Sequence, residues 1–268
     1  MPPSDSTPRV LRKLADSRSA EIYAWGDRHV VKLFRLGFPR EAIEQEAQNA
    51  AMIHALGVPT PRPEGQVELK GRFGILFERC NGPTLYELLQ GGSAPAGPLA
   101  AAFFELQYRL HQCRHPALPA ATRTLESAIL RARVPDAMKQ RALGAMQAMP
   151  GGQAVCHGDY HPLNVLWTPA RAMALDWLDA GSGDPLFDIA RSLLYLRYAR
   201  AGRIAPDRRR EFTSAYERLC REAWRDEFER ADRWRLPVAV ARLSMVADEA
   251  EHRALLQLIE SDSSAPER

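Results

Sequence analysis

The spacing of apolar positions changes character part-way along the chain. Up to about residue 80 the apolar runs are short. Residues 9–15, 20–25 and 29–34 each read as a strand, with Gly26-Asp27-Arg28 as the turn between the last two. In 39–56 the residues Ala42, Ile43, Ala47, Ala50 and Ile53 recur at helical spacing. Pro39 suits the first helical position, and Gly57 with Pro59, Pro61 and Pro63 ends the helix. Residues 66–70 and 73–78 read as a hairpin turned at Gly71.

Beyond that hairpin the spacing is helical. The pattern predicts helices over 85–89 behind Thr84, 99–113, 124–133 with Thr124 as a capping start, 136–149, 185–198, 207–225 and 232–260. GGSAPAGP, before the second of these, reads as a loop. Three short apolar runs interrupt the helices at 154–156, 165–167 and 173–175. The last two are joined by Thr168-Pro169-Ala170-Arg171, a hairpin turn.

The densest chemistry lies in that interruption, 155–176, VCHGDYHPLNVLWTPARAMALD. Asp159 and Asn164 fall in the loop before the hairpin, and Asp176 follows its second strand, so all three can face one point. A carboxylate, an amide oxygen and a second carboxylate suit Mg2+, which takes oxygen ligands and keeps several waters. A metallohydrolase using His157, Asp159 and His161 is a rival reading, but no second histidine motif offers it further ligands. Lys32 stands inside the strand 29–34. A lysine there is costly unless its ammonium meets an anion; the alternative is an edge strand with Lys32 in water.

Composition narrows the class. At 268 residues the chain holds one large domain or two small ones. With 46% hydrophobic and 26% charged residues it has the make-up of a globular protein. A net charge of +3 gives no reason to expect nucleic acid. Arg208-Arg209-Arg210 reads as a solvated helix start. Cys80, Cys113, Cys156 and Cys220 show no paired spacing, which argues against zinc and disulfides and fits a reducing cytoplasm. MPPSDSTPRV has no apolar core for a signal peptide, and no run is long enough to cross a membrane. Both ends, MPPSDSTP and ESDSSAPER, read as frayed.

HGDYHPLNV and LDWLDAGSGDPLFDIAR together resemble the aminoglycoside phosphotransferase and choline kinase group of small-molecule kinases. The loop spacing, the later Asp176 and the Asp184–Asp188 pair carry the likeness. Gly158 stands where protein kinases usually have Arg. The resemblance implies an α+β, protein kinase-like two-lobe fold: an antiparallel-sheet N-terminal lobe over 1–80 and a mainly helical lobe over 81–268, with ATP between them. It implies Asp159 as catalytic base, Asn164 and Asp176 as ligands of Mg, and His157 and Asp188 as braces of the loop. Lys32 and Glu46 take the places of the lysine–glutamate pair that positions the nucleotide phosphates; Glu41 and Glu44 are nearby competitors. Phe77–Gly82 takes the place of the hinge, where the Glu78 carbonyl and Cys80 N–H would meet adenine. Residues 16–20, without glycine, stand at the phosphate-covering loop, with Ser17 and Ser19 as contacts and Arg18 as added charge.

The implied activity is transfer of the γ-phosphate of ATP, with GTP as the alternative donor, to a hydroxyl of a small molecule. Asp179 and Asp184, with Asp248, Glu249 and Glu251, make a cationic acceptor one candidate; Asp184 reads equally as a loop brace. A choline-like acceptor would want an aromatic cage, for which Trp177, Tyr195, Tyr198 and Trp234 are available. Asp176-Trp177-Leu178 lacks the glycine of a flipping switch. No Ala-Pro-Glu segment follows, which counts against a protein kinase. The alternative from another class is a catalytically weak nucleotide-binding pseudokinase serving as an interaction module.

Overall fold

A computed structural model describes residues 11–199 and 204–263. The chain forms two compact units. The first is Met1–Pro83 with Leu166–Leu178, and the second is Thr84–Val165 with Asp179–Arg268. In chain order 166–178 falls within the helical part; its contacts group it with the first unit.

The first unit is built on a five-stranded sheet of β1 (Lys13–Asp16), β2 (Ala20–Trp25), β3 (His29–Phe34), β4 (Pro63–Leu69) and β5 (Arg72–Glu78), in the order β1-β2-β3-β5-β4. All its pairings are antiparallel. The strand expected at 9–15 is shorter, and its first two residues lie outside the described ones. Lys70 and Gly71 turn the β4–β5 hairpin with φ of 52° and 73°, the left-handed pair that matches the twist of the flanking strands. β3 is central, which excludes the edge-strand reading of Lys32.

Alternation along β3 sends Val31 and Leu33 to one face, with Leu76. Phe34 goes to the other face with Ala20 and Ile75, beneath Ile43 of α1 (Arg40–Ala55). Lys32 shares the face of Phe34 and is 6% exposed. Pro39 sits one place before the helix, at the cap position, with ψ of 127°. The hairpin of β7 (Val165–Trp167) and β8 (Ala172–Ala174) is tied to this unit by backbone hydrogen bonds. Trp167 N–H donates to Pro83 O at 2.8 Å, and Ala174 N–H to Pro59 O at 2.8 Å. The close approach requires Gly82, at φ 157°, because a Cβ there would lie 1.9 Å from Trp167 O.

The second unit begins with α2 (Leu85–Gly91), whose N-cap Thr84 forms a reciprocal capping box with Glu87. α3 (Ala96–Gln112) starts inside the stretch read as a loop, right after Pro95. α4 (Ala121–Arg131) starts before Thr124, whose hydroxyl therefore bonds back to Ala121 O at 3.2 Å instead of capping. α5 (Asp136–Gln147) and β6 (Ala154–Cys156) follow. β6 pairs with β9 (Gly181–Gly183), a strand hidden in Gly-Ser-Gly. Its glycines let Ala121 pack close, since a Cβ on Gly181 would meet Ala121 backbone at 2.7 Å.

α6 (Pro185–Tyr198) and α7 (Pro206–Trp224) come next. Arg208 and Arg209 of α7 are not a solvated run, because their guanidiniums donate to Leu89 O at 2.8 Å and Leu196 O at 2.5 Å. They satisfy carbonyls left open at the ends of α2 and α6. The single helix expected over 232–260 is broken into α8 (Glu229–Arg233), α9 (Arg235–Leu243) and α10 (Glu249–Ser263). Pro237 cannot donate to the Arg233 carbonyl, so the chain breaks at Trp234. α10 is opened by Asp248, whose Oδ1 accepts from Glu251 N–H at 2.8 Å. Phe103, Tyr160, Phe212 and Tyr216 form a buried ring cluster, with centroids 4.3–5.5 Å from Phe103. The expected fraying of 1–8 and of the end lies outside the described residues, except that 260–263 continue α10. Among the described residues no helix is long and apolar enough to cross a membrane.

Candidate functional site

In the first unit, Lys32 lies between two carboxylates. Its ammonium is 2.6 Å from Glu46 Oε1 and 2.9 Å from Asp176 Oδ1. Glu46 is 1% exposed on the sheet-facing side of α1. Its competitor Glu44 is instead on the surface, paired with Arg40 at 2.8 Å. Burial works to discharge Lys32, but Asp176 and Glu46 outweigh it and hold the ammonium's pKa above its ordinary value. Asp176 has φ 67°, the left-handed region that aspartate tolerates better than most residues. The next residue is fixed twice: Asn49 Nδ2 donates to Trp177 O at 2.9 Å, and Trp177 Nε1 to Thr60 Oγ1 at 2.8 Å. Trp177 is thereby a buried anchor and not part of an aromatic cage.

The 16–20 turn closes on itself. Ser17 Oγ donates to Ala20 O at 2.9 Å and accepts from Ala20 N–H at 3.1 Å. Arg35 ties the turn down through Asp16 Oδ1 at 2.6 Å, Ser17 O at 2.8 Å and Arg18 O at 3.0 Å, while its own N–H donates to Ser19 O at 2.9 Å. Side-chain bonds therefore hold a loop that has no glycine. At the end of β5, Glu78 Oε1 accepts from Arg62 N–H at 3.0 Å, and the Arg79 N–H donates to Arg28 O at 2.8 Å. Cys80 follows, its thiol raised by burial and by Glu78.

In the second unit the loop after β6 is held from beneath by Asp188 of α6, which is fully buried. Its carboxylate accepts from the N–H of His157 at 3.0 Å and of Gly158 at 2.9 Å, and lies 3.0 Å from His111 Nε2. Gln107 adds a longer bond of 3.3 Å. Burial would raise the pKa of Asp188, but these donors and the His111 contact bring it to about 2. Gly158 has φ +79°, and a Cβ on it would stand 2.2 Å from Asp179 O, so the arginine of protein kinases has no room here. The His157 ring accepts the Asp159 N–H at 3.3 Å.

Asp159 lies beside His161 Nε2 at 3.3 Å and Arg191 at 3.4 Å. Burial works against its charge, but His161 and then Arg191 hold its carboxyl far below the usual range. At 38% exposed, it shares that attraction with solvent. The His161 ring stacks on Tyr195 at 4.2 Å and 12°. Asp179 is 4.0 Å from Arg191. Asp184 is a buried cap: Oδ1 accepts from Leu186 N–H at 3.1 Å, and Oδ2 from Trp234 Nε1 at 2.9 Å. The loop-brace alternative describes it, and Trp234 is an anchor like Trp177.

The chemistry of the donors fits Mg2+. Asn164 Nδ2 is spent on Asp159 O at 3.0 Å, which leaves its Oδ1 as the available donor. Asp176 is 33% exposed, and among the described residues its Oδ2 accepts no hydrogen bond. Both are hard oxygen donors of the kind Mg2+ prefers. No three His, Cys, Asp or Glu side chains gather as a metal site among the described residues, so His157, Asp159 and His161 do not form the cluster a metallohydrolase needs.

The model of the phosphotransferase enzyme family, APH, matches residues 10–226. The chain belongs to that family. Among curated proteins none matches. Several solved structures are similar to this phosphotransferase-family chain along most of its length. A choline/ethanolamine kinase family protein from Mesorhizobium loti is 17% identical with a TM-score of 0.61, covering 98% of this chain and 90% of its own. The amicoumacin kinase hAmiN, in complex with AMP-PNP, Ca2+ and Ami, is 14% identical with a TM-score of 0.62, covering 96% and 90%. APH(2")-IIia, in complex with GDP and kanamycin, is 14% identical with a TM-score of 0.59, covering 97% and 95%. At such identities the likeness shows the fold, which is protein kinase-like.

Sequence reasoning for this family member overlooked Arg191, Arg242 and the part His161 and His111 play. Arg191 had a signal, standing three residues after Asp188 on one helix face. Arg242 had none, lying inside what looked like one continuous helix.

Proposed function

We propose that this protein transfers the γ-phosphoryl group of ATP, with GTP as the alternative donor, to a hydroxyl of a small molecule. The observation that carries the reading is the buried Lys32 between Glu46 and Asp176. Burying a lysine against two carboxylates costs desolvation that a packed apolar trio would avoid, and the arrangement suits holding phosphate oxygens. The 16–20 turn covers the phosphates through Ser19, since the hydroxyl and N–H of Ser17, the other serine read as a contact, both donate to Ala20 O, and the Glu78 carbonyl and Cys80 N–H take the base.

Asn164 and Asp176 would hold Mg2+, which when bound neutralises charge developing on the phosphate oxygens. Asp159 orients the acceptor hydroxyl in line with the γ-phosphorus. The acceptor oxygen bonds to phosphorus while the bond to the β–γ bridging oxygen breaks, and that electron pair leaves with the nucleoside diphosphate. The hydroxyl proton passes to Asp159. With its pKa held so low, Asp159 is a weak base in the ground state, so it works first by positioning and accepts the proton late. A loose transition state permits this.

The test is thermal unfolding with ATP or GTP, with and without Mg2+, on the wild type, Asp176→Ala and Asp159→Asn. Nucleotide at a hundredfold excess over its dissociation constant should stabilise the fold by about 2.7 kcal/mol. Asp176→Ala should abolish the Mg2+-dependent part. Asp159→Asn should keep the shift and lower turnover by roughly 10²–10⁴-fold once an acceptor is in hand. No shift with either nucleotide overturns the proposal.

A further inference from the structure

A cleft opens in the second unit beside Asp159. Its charged wall is Asp159, Arg191 of α6 and Arg242 of α9; Leu194, Val238 and Met245 make it apolar elsewhere, and Tyr195 contributes its ring. The lining thus holds two guanidiniums and one carboxylate, and that carboxylate is the one assigned to the acceptor hydroxyl.

Four of the five acidic side chains read as candidates for a cation are engaged by other groups among the described residues. Asp184 caps α6 in the interior, Asp248 opens α10, and Asp179 stands 4.0 Å from Arg191. Glu251, 6% exposed on its side chain, is not in the wall at all; it sits behind Arg242 and accepts from Nε at 2.8 Å. A buried carboxylate bonded to Nε fixes the plane of the guanidinium. Among the described residues the terminal nitrogens of Arg242 make no other hydrogen bond. Tyr195 supports the same group, its ring centroid 5.6 Å from the guanidinium carbon. The result is a pre-oriented two-pronged donor at the cleft wall, the geometry that matches a carboxylate or phosphate.

We propose that the acceptor of this protein is an anion: a hydroxylated small molecule that also carries a carboxylate or phosphate, bound by Arg242 while its hydroxyl meets Asp159. The proposal rests on the phosphotransferase reading and deepens it. A polyamine acceptor would bring its charge against Arg191 and Arg242 with no carboxylate in the lining beyond Asp159 to receive it, and the apolar wall suits the uncharged frame between hydroxyl and anion.

The experiment uses four probes on one carbon frame, namely gluconate, glucose 6-phosphate, glucose and glucosamine. Each is titrated calorimetrically into the full chain, with and without Mg2+ and AMP-PNP. Gluconate or glucose 6-phosphate should bind at least tenfold more tightly than glucose or glucosamine, and which of the two wins names the anion. Arg242→Gln should weaken that binding about 10- to 100-fold, the loss expected for a hydrogen bond to a charged group. Because Arg242→Gln removes the guanidinium bonded to the buried Glu251, Arg242→Gln/Glu251→Gln serves as the folded control and should show the same loss. Glucose or glucosamine binding as tightly as the anions overturns the proposal. So does anion binding unchanged in both variants, or no anion binding at all. A stabilisation by Mg2+ and ATP that survives any of these leaves the nucleotide reading standing, so the two failures are told apart.

Discussion

Asp188 gathers two backbone N–H groups and His111 around one fully buried carboxylate, and its pKa of about 2 makes it a contributor to stability with a definite pH window. A depressed carboxyl stabilises the fold above the unfolded pKa, near 4, and loses that contribution as pH falls toward 2. The amount is on the order of 2 kcal/mol. Urea unfolding of the wild type should therefore lose stability between pH 4 and about 2 more steeply than Asp188→Asn. At pH 7 the variant should be less stable by roughly 3 kcal/mol, the cost of breaking a buried pair. An equal pH slope in both proteins would remove Asp188 from this role. Gly158 is the second residue with an unusual constraint. Gly158→Ala would place a methyl against Asp179 O from a strained backbone, so it should destabilise by about 1–3 kcal/mol or more and displace Asp159. Turnover should fall further than the midpoint of unfolding, which separates displacement of the loop from general loss of fold. Neither position was inert in the sequence. Gly158 showed itself as the odd residue in a kinase-like loop, and Asp188 as one end of GDPLFD, but that His111 lies beside Asp188 required the packing of α3 on the strand before the loop.

At the scale of elements, the capping box at Thr84 starts α2, and Arg208 closes its far end through Leu89 O at 2.8 Å. Thr84→Ala should cost about 1 kcal/mol, read as a small drop in unfolding midpoint with unchanged denaturant dependence; no change would show that Arg208 alone suffices. Elements with one strong local signal were legible: β2, β3, β6 and α6 lie where apolar spacing and caps put them. Two were not. β9 is Gly-Ser-Gly, whose residues favour turns, and it becomes a strand only because Ala121 and the loop before it need a surface without side chains. The break between α8 and α9 had a signal in Pro237, but the apolar spacing on both sides of it reads through. With that break went Arg242, so the part of the candidate site that bears on the acceptor was the least visible in the sequence. The part that bears on phosphate, from Lys32 to Asp176, was the most visible, because a lysine among the valines of a strand and a glutamate in an apolar helix stripe are each too costly to bury unless they meet an opposite charge.

At the scale of the whole molecule, family membership covers residues 10–226, and the segment after it is where α8, α9 and α10 supply Arg242 and its backing Glu251. On the proposal of an anionic acceptor, the choice of acceptor thus rests partly on chain that the family model does not describe. The discontinuity of the first unit has a different consequence. Its Lys32 and Glu46 are made early, but Asp176 belongs to Leu166–Leu178, which is made after much of the second unit. At ordinary elongation rates the ribosome takes about 5–20 s to travel from Pro83 to Leu178. For that interval the nascent sheet, whose five strands all lie before residue 79, holds Lys32 against Glu46 alone, and its second carboxylate arrives only with a segment encoded after Thr84–Val165.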